Sequence, residues 1–317
     1  MMAKIKKIKE RKIMDTLTHI KNLERPSANI DVILDTDAYN EIDDQFAIAY
    51  MFANRQKLNI KAIYAAPFHN GKSSGPKDGM EKSYEEIIKV ISMIGGAEGT
   101  KVFKGSNQYL KNETSPEISP AAEHFADLAG RYSPENPLYA VAIGAITNIA
   151  SAILMKPEII ENIVIVWLGG NSLHWNDTKE FNLYQDVAAA RVIFGCGAPL
   201  VQLPCAGVVS AFTVSEAELE KWLLGKNKIS DYLAQNTIEE ASSYAKGSPW
   251  TRVIWDVTAV AWLIDGRFFG ERLEKSPIPE YDGHYAYDGS RHFIKYIYHV
   301  NRDALVGDLF GKLAALN

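Results

Sequence analysis

The run DTDAYNEIDDQFA at positions 35–47 places Asp35, Asp37, Glu41, Asp43 and Asp44 within ten positions. It directly follows the apolar run Val32-Ile33-Leu34. Carboxylates this close repel one another unless a cation or protonation offsets the repulsion, and hard oxygen ligands suit Ca²⁺ or Mg²⁺. An ordinary helix start, with Asp43 or Asp44 as cap, accounts for one or two acids. It leaves Asp35 and Asp37, at the end of a strand, without a purpose. An EF-hand loop beginning at Asp35 is excluded. It would need Asp or Asn fifth, Gly sixth and Glu twelfth, where this chain has Tyr39, Asn40 and Phe46. A second acid stands far away. Asp256 is the only charge in VIWDVTAVAWLI, a stretch that reads as the inside of a helix running over 248–264. A charge on so apolar a helix calls for a partner or a metal, although a satisfied buried Asp is the plain alternative.

One nearby motif is a decoy. APFHNGKS at 66–73 has the loose form of a phosphate-binding loop, which must run straight into a helix. SGPKDG follows instead, and its two glycines and proline argue against a helix there. A surface loop remains, with a covering role over the carboxylates left open.

The elements that must position these acids alternate. Strand patterns at 30–35, 58–66, around KVFKG, at LYAVAIG, VIVWLGG and APLVQLP are separated by helical patterns at 42–55, 80–96, PAAEHFADLAGRY, TNIASAILMKPEIIENI and DVAAARVIFGCG. The strands are almost continuously apolar, as in a parallel sheet buried on both faces. Ligands of such sheets bind beyond the carboxyl ends of the strands, where the 35–44 loop lies. SEAELEKWLLGK, the 229–246 stretch and 248–264, with Ser248 as cap and Pro249 in the first position, read as further helices. The expected fold is a single α/β domain, with a mostly parallel central sheet flanked by helices and extra C-terminal helices.

Charge divides the chain at one point. Residues 1–28 carry eight Lys/Arg against three Asp/Glu, leaving about −10 on the remainder of a chain whose net charge is −5. They read as a solvated basic extension with a short amphipathic helix at Leu17, Ile20 and Leu23, ahead of one domain over 29–317. The mild overall acidity argues against nucleic-acid binding. No stretch suits a signal peptide or a spanning helix, so no membrane partner is expected. Cys196 and Cys205 fit neither a metal site nor a disulfide framework, and the cytoplasm is the expected compartment.

A strand, then D-x-D, then D-D opening a helix, resembles the inosine-uridine preferring nucleoside hydrolase family. VFKGSNQYL (102–110), AIGAITNIASAI (142–153), VIVWLGGN with EFNLYQDVAAARVIFGCGAPL (180–200), WDVTAVAWLI (255–264) and VNRDALVGDLFGKL (300–313) are similar, in order, to later segments of that family. The resemblance implies a Ca²⁺-dependent enzyme of nucleoside salvage that cleaves ribonucleosides to base and ribose, by attack of a metal-bound water on C1′. It implies Asp37, Asp44, the main-chain oxygen of Ile143 and Asp256 as metal ligands, with Asp37 also the general base. It implies Asp43, Glu180, Asn182 and Asn176 on the sugar, with Asn171 competing for the place of Asn176, and Asp35 and Asn40 in support of the loop. Members are often dimers or tetramers, so a homo-oligomer is implied as well.

Two departures stand out. Five residues, Ala38 to Ile42, separate Asp37 from Asp43 where the family has three, so two must bulge out, and Asn40 or Glu41 is expected to enter the site. Trp255 occupies the position where many members have a His acid. Indole donates no titrating proton, but a purine-specific branch of the family also has Trp here. Stacking of a purine on Trp255 is the expectation, and a core Trp is the alternative. His69 and His174 are the remaining titrating candidates for an acid. Three other readings stay open: a Mg²⁺-dependent phosphatase of the haloacid-dehalogenase type, which also places D-x-D after a strand; an inactive nucleoside- or sugar-binding protein; and a hydrolase of another N-glycoside.

Overall fold

The computed structural model describes residues 15–316. Its strands, in chain order, are β1 (Ile30–Thr36), β2 (Leu58–Ala65), β3 (Val102–Lys104), β4 (Leu138–Ala142), β5 (Ile163–Leu168), β6 (Leu200–Leu203), β7 (Thr213–Ser215), β8 (Thr251–Val253), β9 (Phe269–Lys275), β10 (Ile278–Pro279), β11 (Tyr285–Ala286) and β12 (Phe293–Val300). Eight of them form one sheet in the order β3-β2-β1-β4-β5-β6-β12-β9. All neighbours in it run parallel except β9, which pairs antiparallel with β12 at one edge.

Both faces of the sheet are covered, which is why its strands are apolar throughout. On β1, Val32 and Leu34 point into one core, with the helices Asp43–Ala53, Val257–Trp262 and Arg302–Ala314. Ile33 points into the other, with the helices Pro120–Ala129, Thr147–Met155 and Val187–Gly195. Strand order reverses at β1, whose neighbours are β2 on one side and β4 on the other. A crevice opens at such a reversal, beyond the carboxyl ends of the strands.

The expected α/β architecture is present, with differences that have local causes. Residues 248–264 are not one helix. Thr251–Val253 pairs with Thr213–Ser215 as a two-stranded ribbon, and the helix begins only at Val257. β-branched Thr251 and Val253 suit the ribbon, and Ser248 and Pro249 precede it rather than cap a helix. A helix does follow the phosphate-loop-like stretch, from Pro76 to Ile91, with Gly75 before it and Pro76 in its first turn. Proline is well suited to that position because its missing N–H has no intrahelical partner there. The C-terminal part adds strands β9 and β12, not helices alone; their alternating charged positions conceal an edge strand and its neighbour.

Residues 1–14 of the basic extension lie outside the described residues. From Asp15 onward the chain is docked on the domain. Asp15 caps the helix Thr16–Asn22 by accepting from Thr18 N, and Leu23 is fully buried. Arg25 pairs with Glu271 at 2.8 Å, and Lys295 with Glu24 at 3.0 Å.

Candidate active site

The crevice holds a cavity of about 290 Å³ lined by residues that end or follow strands β1, β4, β5, β6 and β8 and by the starts of the helices Asp43–Ala53, Phe181–Gln185 and Val257–Trp262. Six of the lining residues are acids: Asp37, Glu41, Asp43, Asp44, Glu180 and Asp256. None is Lys, Arg or His.

The first loop is built to bring its acids inward. Asn40 N donates to Asp37 O at 2.7 Å, closing a turn just past the strand. Thr36 Oγ1 donates to Asp44 Oδ1 at 2.5 Å, and Gln45 Nε2 to Ala38 O at 3.3 Å. Asp35 lies beneath the cavity, fully buried, and accepts from Asn148 Nδ2 at 2.8 Å. Asn148 is itself fixed, since its Oδ1 takes the backbone N and the Oγ of Ser106. Gly144 is needed opposite Asp37, because a Cβ there would stand 2.8 Å from Asp37 Oδ1.

Asp256 reaches the same place from the other end of the chain. It occupies the N-cap position of the helix Val257–Trp262, not its interior, yet its side chain makes no capping hydrogen bond. It is turned toward the acids instead. Carboxylate oxygens of Asp43, Asp44 and Asp256, all buried, lie within 4.8 Å of one another. Asp37 lines the same cavity but stands outside that triangle, while Asp43, expected on the sugar, stands inside it.

The electrostatics are those of a site awaiting positive charge. Burial, then Asp44, holds Asp37 well above the usual carboxylate range. Burial, then Glu41 and Asp44, does the same for Asp43, against the opposing pull of Arg252. Asp256 is pushed up by burial and then by Asp43, Asp44 and Asp37. Burial raises Asp44 and Asp35 to about 7 each, against hydrogen bonds to Thr36 and Asp256 for Asp44 and to Asn148 for Asp35. Asp37 Oδ2 and Asp43 Oδ1 are buried with no hydrogen-bond partner. Buried carboxylate oxygens without a partner are expensive, and a hard divalent cation within reach removes that cost. The donor set fits one. Ile143 lines the cavity, and its carbonyl accepts from Asn182 Nδ2 at 3.2 Å, which leaves that oxygen a second lone pair.

The remaining expected residues divide cleanly. Glu180 accepts from the backbone N of Gly170, Asn182 and Leu183 at 2.7, 2.8 and 3.0 Å. Burial raises its pKa and those three N–H groups restrain the rise. Asn182 spends its amide N–H on the carbonyls of Ile143 and Leu168, leaving Oδ1 free. Trp255 is half-buried at the cavity wall, and Asn40 and Glu41 of the lengthened loop line it too. Asn176 is exposed and does not line the cavity; Asn171 does. His69 and His174 are exposed and absent from the lining. Leu168, Phe181, Cys205 and Ala206 complete the wall; for Cys205 and Ala206, a position just past the carboxyl end of β6 was the available signal.

The model of the family described as inosine-uridine preferring nucleoside hydrolase matches residues 32–303. A pyrimidine-specific ribonucleoside hydrolase, RihA, from Salmonella paratyphi A is 23% identical over 264 residues, covering 75% of this chain and 80% of the relative. The solved purine-preferring ribonucleoside hydrolase from Gardnerella vaginalis superposes with a TM-score of 0.74 at 20% identity, over 90% of this chain and 98% of that one. The inosine-uridine preferring nucleoside hydrolase from Bacillus anthracis gives 0.67 at 17% identity, over 90% and 99%.

Proposed function

The chain belongs to the inosine-uridine preferring nucleoside hydrolase family, and from that premise we propose that its acidic cavity hydrolyses the N-glycosidic bond of ribonucleosides with Ca²⁺ as cofactor. The observation that carries this reading is the convergence of Asp37, Asp43, Asp44 and Asp256 on one cavity with two carboxylate oxygens unpartnered. Family membership decides against the phosphatase reading. Ca²⁺ is favoured over Mg²⁺ because it accepts many oxygen ligands in irregular array, whereas Mg²⁺ prefers to keep several waters. Asp44, Asp256, Asp37 and the Ile143 carbonyl would hold the ion, with Asp43 close enough to join. When bound, it lowers the pKa of water and offsets the clustered negative charge.

The side chains then have separate tasks. Asp37, with a free Oδ2, takes the proton of the water that attacks C1′. Glu180, Asn182 through its Oδ1, and Asp43 accept from the ribose hydroxyls and fix C1′ in line with the water. Positive charge develops on the sugar in an oxocarbenium-like transition state, and an acidic cavity fixed in advance stabilises it without reorganising. Trp255 offers its indole face to the base, which favours purines through their larger stacking area.

A panel of nucleosides and phosphate esters, followed for reducing sugar and for phosphate with and without chelator, tests the reading. Reducing sugar from nucleosides, lost on chelation and restored by Ca²⁺, is the expected result. Release of phosphate alone, or no reaction, contradicts it.

A further inference from the structure

Among the described lining residues there is no His, Lys or Arg to hand a proton to a departing base. The Cys205 thiol is pushed up by burial and by Glu180, and the carboxyls belong to the acidic cluster, while the first loop brings in an amide donor. Side-chain N–H donors among the described lining residues belong to Asn40, Asn171, Asn182 and Trp255. Asn171 Nδ2 is spent on Asp177 O at 3.1 Å, and Asn182 Nδ2 on two carbonyls. Trp255 Nε1 makes no hydrogen bond, but its ring is the stacking surface. Asn40 therefore holds the one uncommitted amide donor.

Its orientation is fixed by a chain of bonds. The backbone N of Lys72 donates to Asn70 Oδ1 at 2.8 Å, so Asn70 must present its Nδ2 to Asn40. Asn40 answers with Oδ1, at 2.6 Å. An amide has one oxygen and one nitrogen, so Nδ2 of Asn40 is the end left for the cavity. The rest of the residue is pinned as well. Its N–H goes to Asp37 O at 2.7 Å, and its carbonyl accepts from Lys72 Nζ at 2.8 Å. Lys72 in turn pairs with Glu240 at 3.0 Å, and the neighbouring Glu41 with Arg252 at 2.9 Å. Asn40 is 7% exposed, so this is a buried, pre-set donor rather than a mobile surface amide.

Most other free polar groups on the cavity wall are carboxylates, which accept. They match the sugar, whose hydroxyls donate. The acceptor-rich part of a ribonucleoside is its base, and the base is the part that gains electrons as the bond breaks. We infer that Asn40 is a catalytic residue that donates from Nδ2 to the departing base, a role that rests on the hydrolase reading above. Water oxygen bonds to C1′ and yields a proton to Asp37. The C1′–N bond breaks, its electron pair goes to the base, and Asn40 steadies that charge until solvent protonates it.

The test compares wild type, Asn40→Asp and Asn40→Ala on inosine and on 4-nitrophenyl β-D-ribofuranoside, with inhibition by ribose as a third readout. The 4-nitrophenolate leaves as a stable anion and needs little help. One well-placed donor to a developing anion contributes about 100-fold in kcat, so inosine turnover should fall by about that factor in both variants. Nitrophenyl riboside turnover should change less than about threefold, and ribose inhibition should stay at the wild-type level. Equal losses on both substrates, weakened ribose inhibition, or no loss on inosine would each overturn the role. If wild-type protein cleaves neither substrate, the hydrolase reading fails first and takes this one with it. If Asn40→Asp does not fold, Asn40→Ala carries the comparison.

Discussion

Two sets of buried acids in this protein behave in opposite ways. Asp186, 3% exposed, is surrounded by donors: Leu110 N at 2.9 Å, Thr147 Oγ1 at 2.7 Å and Ala189 N at 2.9 Å. It ties three segments together at the start of the helix Val187–Gly195, with both of its oxygens accepting from the fold. Asp37 and Asp43 are equally buried, yet each keeps an oxygen without a donor, and other acids surround them. Burial therefore does not separate a structural acid from a working one. Unpartnered oxygens among like charges mark the cluster, because such a buried arrangement is costly unless something completes it, while Glu180 lines the same cavity with three backbone donors of its own.

That contrast breaks first at Asp37. Asp37→Asn should lower kcat by about 1,000-fold, within the range of general-base loss. Its melting temperature should hold or rise, since one repelling charge is gone. A parallel fall in both would make Asp37 a structural acid like Asp186. The second test is pH. Asp35 and Asp44 sit near 7 when folded and near the ordinary carboxylate value when unfolded. The folded state thus holds the extra protons, and its stability is greatest below about pH 4 for these groups and is lost as pH rises through about 7. For Asp35 alone the shift corresponds to about 4 kcal/mol at 1.36 kcal/mol per unit. Urea titrations of chelated protein between pH 4.5 and 8 should show the decline, and saturating Ca²⁺ should reverse most of it at the upper end. A flat profile would mean that the cluster is already satisfied.

Asp186→Ala should do the converse of Asp37→Asn. It should cost about 3 kcal/mol of stability by stranding three donors, while turnover per folded molecule stays near wild type. The smallest effect belongs to Trp255→Ala. Loss of one aromatic stack, about 1.4 kcal/mol, should reduce kcat/KM about tenfold for inosine and less for uridine. Unchanged inosine turnover would assign Trp255 to the core alone.

Much of this was legible in the sequence because it depends on local chemistry. Five acids after a buried strand cannot be explained by a cap, and the alternation of strands and helices up to β6 marks a parallel sheet. Asp256 was singled out as a lone charge well inside a helix, a premise the structure overturns, although its side chain does lie among the acids. Its lone charge among apolar residues was visible, but its place at a helix start was not, because Thr251–Val253 becomes a strand only through its pairing with Thr213–Ser215. β9 and β12 were hidden likewise, since edge pairing tolerates the charges that blur their pattern. Asn171 and Asn176 could not be ranked by spacing; the choice needs the path of the loop after β5. That Asn40 or Glu41 would reach the cavity was predictable from the length of the first loop. The direction of the Asn40 amide was not, because it is set by Asn70 and Lys72, some thirty residues away.

The central claim is that acids from the two ends of the chain share one divalent ion. Crystals grown with Ca²⁺ and measured at a wavelength where calcium scatters anomalously test it most directly. The account predicts one strong anomalous peak in the cavity, about 2.3–2.6 Å from oxygens of Asp44, Asp256 and the Ile143 carbonyl, with Asp37 or Asp43 completing the shell. A cavity without such a peak at millimolar Ca²⁺, with the carboxylates still facing one another, would contradict it.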